Sequence, residues 1–331
     1  MAMKKFVLPL LVLLGGLFAF SSCDSTTILG SSGEVIVVMD KADWEGELGT
    51  EVRLALESPV EFLDPAEKKF KLTFIENGAL SRQLRMNRNI VLFQKGDSSA
   101  VIYRRDVWAH PQIVVQVTAP SSHASAQLVA ANADAIYRKI EMAEINRNVE
   151  KCYKYEIPEI TAQIEKIAGG SPRIPATGYR VANEADGFIW LNNATQYITS
   201  GVIVIAYPAE GDGLDLDPDR LTARLREKIN LNVPGGPEGS YMDISPLVIP
   251  IVSDLSVNGR TIKQIRSRWI IEGDSMGGPY VSHSFLTPDG SKVVTEMAFL
   301  FCQRYDNRSY FRQVESILYS FKWASEAGAE K

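Results

Sequence analysis

The 331-residue chain predicts an α+β fold, with two mixed α/β domains of mainly antiparallel sheet joined through a long helical segment. Three features lead there. Near-continuous apolar runs such as residues 35–39 and 202–205 have the length and composition of buried strands. Asn258-Gly259 and Asp289-Gly290 each separate two strand-like stretches, and both dipeptides tolerate the positive φ of tight hairpin turns. Between the halves, Leu128, Ile136, Ile140, Ile145 and Val149 recur at helical spacing among charged residues as far as Cys152.

Ahead of the first strand, Lys4 and Lys5 precede an unbroken apolar run over residues 6–20, then the small residues Ser21 and Ser22. This is the three-part layout of a secretory leader. The 15-residue run contains Pro9, Gly15 and Gly16 and falls short of the ~20 residues a membrane-crossing helix needs. Phe20-Ser21-Ser22-Cys23 is similar to a lipobox, although Phe20 stands where leucine is usual. Residues 1–22 are therefore expected to be a signal peptide and Cys23 the acylated first residue, carrying palmitate-like chains. Residues 23–33, rich in Gly and Ser, then read as a flexible tether.

A strand over 34–39 leads to a helix that Asp43 caps, whose positive end suits Glu45 and Glu47, and that Pro59 stops. Strands over 70–75, 89–94, 100–107 and 112–118, with a short helix over 81–86, complete an N-terminal α/β domain, 34–120. Residues 121–170 read as a helical arm or hairpin, because Pro158 breaks the long helix and Ile160, Ile164 and Ile167 mark a second one ending at Gly169-Gly170. The two prolines within 171–178 mark the domain boundary.

The C-terminal antiparallel α+β domain, 179–323, should hold strands over 188–191 and 201–207. A helix opens where Asp217 caps, Pro218 takes the first position and Asp219 meets the dipole. Hairpins pair 248–257 with 260–271 and 280–286 with 292–303, and a helix over 309–321 follows. Residues 324–331 read as a disordered tail. A strand-then-helix echo between 35–56 and 202–225 suggests duplication of one α/β unit.

Loss of Lys4 and Lys5 would leave 33 basic against 40 acidic side chains, a net charge of −7. An acidic chain without a basic block argues against nucleic acid as a partner. Cys152 and Cys302 remain, either bridged or buried as small apolar residues. Asp212, Asp215, Asp217 and Asp219 begin like a calcium loop, but Arg220 and Arg226 stand where glycine and a bidentate glutamate are needed. His110, His123 and His283 are far apart, and Ser282-His283-Ser284 would point its serines and histidine to opposite strand faces. No catalytic, cofactor or metal site is predicted. The most distinctive segment, 269–282, combines Trp269 with Met276, Gly277, Gly278, Pro279 and Tyr280. It reads first as a loop or bulge between two strands, its flanking apolar residues serving as core, and otherwise as a ligand or partner contact with Arg268 and Arg312 supplying polar groups.

Taken together, the lipobox, residues 34–40 (EVIVVMD) with Trp44, RNI at 88–90, Gly259-Arg260, Trp269, MGGPYVS and the closing 308–320 resemble the Bacteroidota lipoproteins grouped as domain of unknown function 4837. The resemblance runs along the whole chain. It implies an envelope lipoprotein, with the periplasmic face of the outer membrane as its expected location, and no particular activity. The C-terminal half, ending in ILYSFKW, also resembles the PsbP-like α/β/α sandwich. The function expected is a non-enzymatic binding or interaction module, attached to the membrane by its N-terminal lipid and meeting an envelope protein or small ligand. The alternative is an envelope hydrolase whose site assembles from distant residues such as Asp40, Asp274 and Arg312.

Overall fold

The computed structural model describes residues 27–303 and 306–327. The expected signal peptide, Cys23, the first part of the tether and residues 328–331 lie outside the described residues.

The first sheet holds β1 (Glu34–Met39), β2 (Lys71–Glu76), β3 (Asn89–Lys95), β4 (Ala100–Arg105) and β5 (Ile113–Ala119), in the order β2-β1-β3-β5-β4. Only β4 and β5 pair antiparallel; β1, β2, β3 and β5 all run the same way. The parallel arrangement follows from the crossover through α1 (Lys41–Glu45) and α2 (Glu47–Leu56), which carries the chain back to the end where β1 started. Gly46 divides the single helix expected here. Asp40, not Asp43, takes the N-cap position, and Asp43 instead accepts a hydrogen bond from Ser122.

Val35, Val37 and Met39 face one side of the sheet, against Leu48 and Val52 of α2 and against Val129, Ile136 and Ile140 of the next two helices, α3 (Ser122–Ala131) and α4 (Ala133–Lys154). Ile36 and Val38 point to the other side, with Ile90, Val114 and Trp108. The periodicity of the long helix is continuous in sequence, but Asn132 interrupts it: its side-chain amide donates to the Leu128 carbonyl at 2.8 Å, competing with the backbone ladder. The tether is also partly structured, since Thr27 bridges to His110 and Leu29 to Asn87.

The second half begins with α5 (Pro158–Ala168), which has proline in its first turn and is ended by Gly169 at φ 73°. Next, β6 (Gly170–Ser171) pairs with a last short strand, β15 (Lys322–Trp323). Ser171, Arg173 and Ile174 are buried, so this part of the expected boundary segment is C-terminal core. The large sheet contains β7 (Arg180–Ala185), β8 (Phe188–Ala194), β9 (Ile198–Pro208), β10 (Tyr241–Ile244), β11 (Ile251–Val257), β12 (Arg260–Glu272), β13 (Gly277–Leu286) and β14 (Lys292–Cys302). Its order is β10-β12-β13-β14-β9-β8-β7, and β11 pairs with β12 on the side that β10 also uses.

Asn258 (φ 49°) and Gly259 (φ 76°) make the tight turn between β11 and β12. The helix α6 (Pro218–Asn232) covers one face of the sheet, its Asp217 cap accepting from the Asp219 and Arg220 amides at 3.1 Å each. The other face is covered by α5 and α7 (Asn307–Leu318). The expected tail begins with one helical turn, α8 (Ala324–Ala327).

Nine of the twelve strand pairings among described residues are antiparallel, which makes the fold α+β. The two sheets differ in strand order and direction, so the echo between 35–56 and 202–225 does not reflect a repeated unit.

The halves meet along α4 and α7. Arg312 Nε and Nη2 each donate to Glu141 at 2.7 Å, Asn148 reaches Ser316 at 3.4 Å, and Tyr153 donates to the Ser320 carbonyl at 2.9 Å. Glu67 accepts from the Asn307 and Arg308 amides at the start of α7. Within the first half, Arg147 on α4 donates to Glu144, to Asn89 and to the carbonyls of Arg88 and Pro111, all at 2.8–3.0 Å. Arg147, Glu144 and Asn89 are buried, so α4 is tied to the starting ends of β3 and β5 by fully enclosed polar contacts.

Candidate functional site

The segment singled out by sequence is an exposed turn, residues 272–275, flanked by core: Trp269, Ile271 and residues 278–282 are buried. Gly277-Gly278-Pro279 opens β13 instead of forming a loop, with Gly278 opposite Trp269 in the ladder. A Cβ on Gly278 would stand 2.0 Å from the Leu300 carbonyl oxygen and 3.2 Å from Trp269 Nε1, and that indole donates to the same carbonyl at 3.2 Å. The glycine thus admits the tryptophan to the interior; Tyr280 is buried beside it and Met276 is partly buried. Arg268 donates to the Phe62 carbonyl, and Arg312 is buried against Glu141 and Phe70 in the junction between the halves. Asp40, Asp274 and Arg312 do not converge. Asp40 follows the last residue of β1 while Arg312 lies against Gly33, just before its first, and six extended residues span ~20 Å. Asp274 sits in the turn after β12 and holds the Ser275 amide.

A cleft of about 450 Å³ does form, where the two halves join. Asn148, Lys151 and Cys152 come from the last turns of α4, and Tyr310, Gln313, Val314 and Ile317 from α7. Asn193, Thr195, Ile198 and Ser200 come from the β8–β9 hairpin, and Pro175, Thr177 and Tyr179 from the strand-like segment after β6. That segment is fixed by the Ala176 amide donating to the Tyr155 carbonyl at 2.7 Å and by the Ile157 amide donating to the Ile174 carbonyl at 2.9 Å. Tyr179 shares a hydrogen bond with Ser200 at 3.1 Å, and Asn193 donates to the Thr177 carbonyl at 3.3 Å. Lys151 is the one charged side chain among the described lining residues; the rest are aromatic, aliphatic, amide or hydroxyl.

Cys152 and Cys302 are both buried thiols in one core, with no bridge between them. Burial pushes the Cys152 thiol up to about 12, so it is a poor nucleophile at neutral pH. Nothing in the sequence spacing marks this cleft, because its walls come from four separated segments. Only the break at Pro158 signals that α4 ends there.

A second polar group is sealed beneath α7. Gln264, His283 and Glu296 stand directly opposite one another across β12, β13 and β14. Arg266 Nε donates to Gln264 Oε1 at 3.1 Å, so the Gln264 amide nitrogen faces His283 Nε2 at 2.9 Å and leaves the imidazole proton on Nδ1. That Nδ1, both Glu296 carboxyl oxygens, and Nε and Nη2 of Arg260 have no hydrogen-bond partner in the structure.

Burial holds Glu296 well above the usual carboxylate range, only partly offset by Arg260. Burial, with the charges of Arg266 and Arg260, pulls His283 down to about 3. As pH rises above 4.5, the unfolded chain ionises Glu296 while the folded chain keeps its proton, so stability falls. As pH falls below 6.5, the unfolded chain protonates His283 while the folded chain does not, so stability falls in that direction. The two trends oppose each other between 4.5 and 6.5, and Glu296 acts without that opposition above it. Glu296→Gln should therefore flatten the decline in thermal stability as pH rises above 6.5. Melting curves showing the same decline in both proteins would contradict this.

Comparison with known families divides the chain at this junction. Residues 29–153 match the model described as Domain of unknown function (DUF8532), and residues 158–320 match Domain of unknown function (DUF4837). The resemblance read from sequence extended the second family along the whole chain, whereas its match starts at α5. No curated protein matches. Among solved structures, human STARD10 is similar over 46% of this chain and 76% of its own, at 14% identity and a TM-score of 0.21, too slight a likeness to carry a shared fold.

Proposed function

We propose that this chain is a cell-envelope lipoprotein of a member of the Bacteroidota, held on the periplasmic face of the outer membrane by lipid on Cys23, whose folded part binds a small ligand in the α4–α7 cleft. The observation that carries the reading is the cleft itself, with its volume in the range of small-molecule sites. It also draws walls from both family segments, with Asn148, Lys151 and Cys152 from one and Tyr179, Ser200 and Val314 from the other. The lining supports one kind of ligand chemistry. No carboxylate is present among the described lining residues to attract a cation, Lys151 suits one negative charge, and the tyrosine and aliphatic surface calls for an apolar face.

The ligand class is a neutral or singly anionic molecule with one apolar side. The covering of the C-terminal sheet by helices on both faces also fits the PsbP-like sandwich topology. A site built of amides, hydroxyls and one high-pKa thiol favours binding over hydrolysis.

The test is native mass spectrometry of full-length protein extracted from its own envelope in mild detergent. Wild type should carry one small molecule per chain, and Ser200→Phe, which fills the cleft, should lose it. An envelope-purified wild type free of any small molecule, with Cys23 lipidated, would overturn the binding reading and leave the anchor.

A further inference from the structure

The strand edge beside β12 is interrupted. β10 pairs with residues 269–272 and β11 with 260–266, and the chain between them, Ser245-Pro246-Leu247-Val248-Ile249-Pro250, bulges away from the sheet. Leu247 is 92% and Ile249 88% exposed, and the first residues of β11, Ile251 and Val252, are exposed as well. No charged residue occurs from 245 to 252. Pro246 and Pro250 bracket this stretch, in which Leu247 and Ile249 stand out into the open and Val248 is half-buried. Isolated exposed apolar residues are ordinary, but a contiguous uncharged set this exposed marks an interaction surface.

A projecting loop suits a fluid apolar phase, which needs no complementary groove, and its position supplies a second reason. Ser245 donates its amide to the Arg268 carbonyl at 2.9 Å, and Arg268 donates to the Phe62 carbonyl at 3.2 Å. Phe62 is at the tip of a loop closed by the Phe70 amide on the Leu56 carbonyl and the Val60 amide on the Glu67 carbonyl, which leads into the start of β2. Thr27 and Leu29 pair with His110 and Asn87, which lead into the starts of β5 and β3. These strands are parallel, so the described chain enters the fold at the same end of the first sheet from which the Phe62 loop reaches Arg268. Only three residues lie between Cys23 and Thr27, so four Cα-to-Cα steps span at most ~14 Å of extended chain.

We infer that residues 246–252 dip into the bilayer surface as a second membrane contact, beside the lipid on Cys23. The inference rests on the anchoring reading, and its test separates the two. Full-length protein carrying Leu247→Cys, labelled with an environment-sensitive fluorophore, is reconstituted into vesicles of phosphatidylethanolamine and phosphatidylglycerol bearing nitroxide lipids. Leu231→Cys on α6, at a residue 76% exposed, is the control, and lipid on Cys23 is assayed in the same preparation.

The label at 247 should be quenched at least threefold more than that at 231. Quenching at 247 without lipid on Cys23 supports the loop and refutes the anchor. Lipid on Cys23 with equal quenching at both sites overturns the loop and leaves the anchor, and neither signal overturns both. Shielding of residue 247 in native envelopes but not in protein-free vesicles would mean that a protein covers it, and also overturns the inference.

Discussion

Arg147→Ala is expected to destabilise the protein by about 3–5 kcal/mol, because it removes one of the two guanidinium groups at the buried Glu144 carboxylate, Arg88 Nε being the other at 3.0 Å, and strips two enclosed carbonyls of their side-chain donor. Glu144 is 1% exposed, and without Arg147 its carboxylate keeps Asn89 at 2.7 Å and Ser32 at 3.2 Å among its hydrogen-bond donors. The same change frees the carbonyls of Arg88 and Pro111, which lead into β3 and β5. Replacing both charges, Arg147→Met with Glu144→Leu, should recover only part of the loss, since it leaves Arg88, whose Nε lies 3.0 Å from the Glu144 carboxylate, without its partner. Urea unfolding of the three proteins checks this. An Arg147→Ala variant within about 1 kcal/mol of wild type would contradict the locking of α4 to the sheet through Arg147.

Trp269→Ala is expected to cost about 3–5 kcal/mol, the range for emptying a large aromatic site in a packed core. The ring packs edge-to-face on Phe299 at 5.3 Å and on Phe301 at 6.5 Å, and its indole nitrogen donates to the Leu300 carbonyl. Trp269→Phe should cost less, because it keeps most of the volume and loses that hydrogen bond. Equal midpoints for Trp269→Ala and wild type in chemical denaturation would contradict the assignment of Trp269 to core.

Much of the fold is legible in the sequence wherever a local rule dominates. Asp217-Pro218-Asp219 starts its helix as capping chemistry requires, Gly169 ends another, and Asn258-Gly259 fixes a hairpin register. What the sequence leaves open depends on partners distant along the chain. The segment from Trp269 to Gly277-Gly278-Pro279 reads either as a strand connection flanked by core or as a contact site, because glycine and proline mark turns; the connection is residues 273–276, and Gly278 makes room for the neighbouring strand's indole, a requirement visible only once β12 and β13 are paired. Arg312 reads as a free polar contact until Glu141, 171 residues away, is found against it. The parallel order of the first sheet is likewise a property of the crossovers, since a buried strand shows the same apolar run in either direction. The cleft left no trace because an amide, a hydroxyl and a tyrosine from four segments have no common spacing.

The claim that the α4–α7 cleft holds a ligand is tested most directly at Gln313, an exposed residue of its wall. Full-length protein carrying Gln313→Cys is treated with a small thiol reagent, once as purified from its own envelope and once after the bound small molecules are stripped, and modification of residue 313 is followed by mass spectrometry. Occupancy predicts at least tenfold slower modification before stripping, with the buried Cys302 unchanged. Equal rates at residue 313 in the two samples would contradict it.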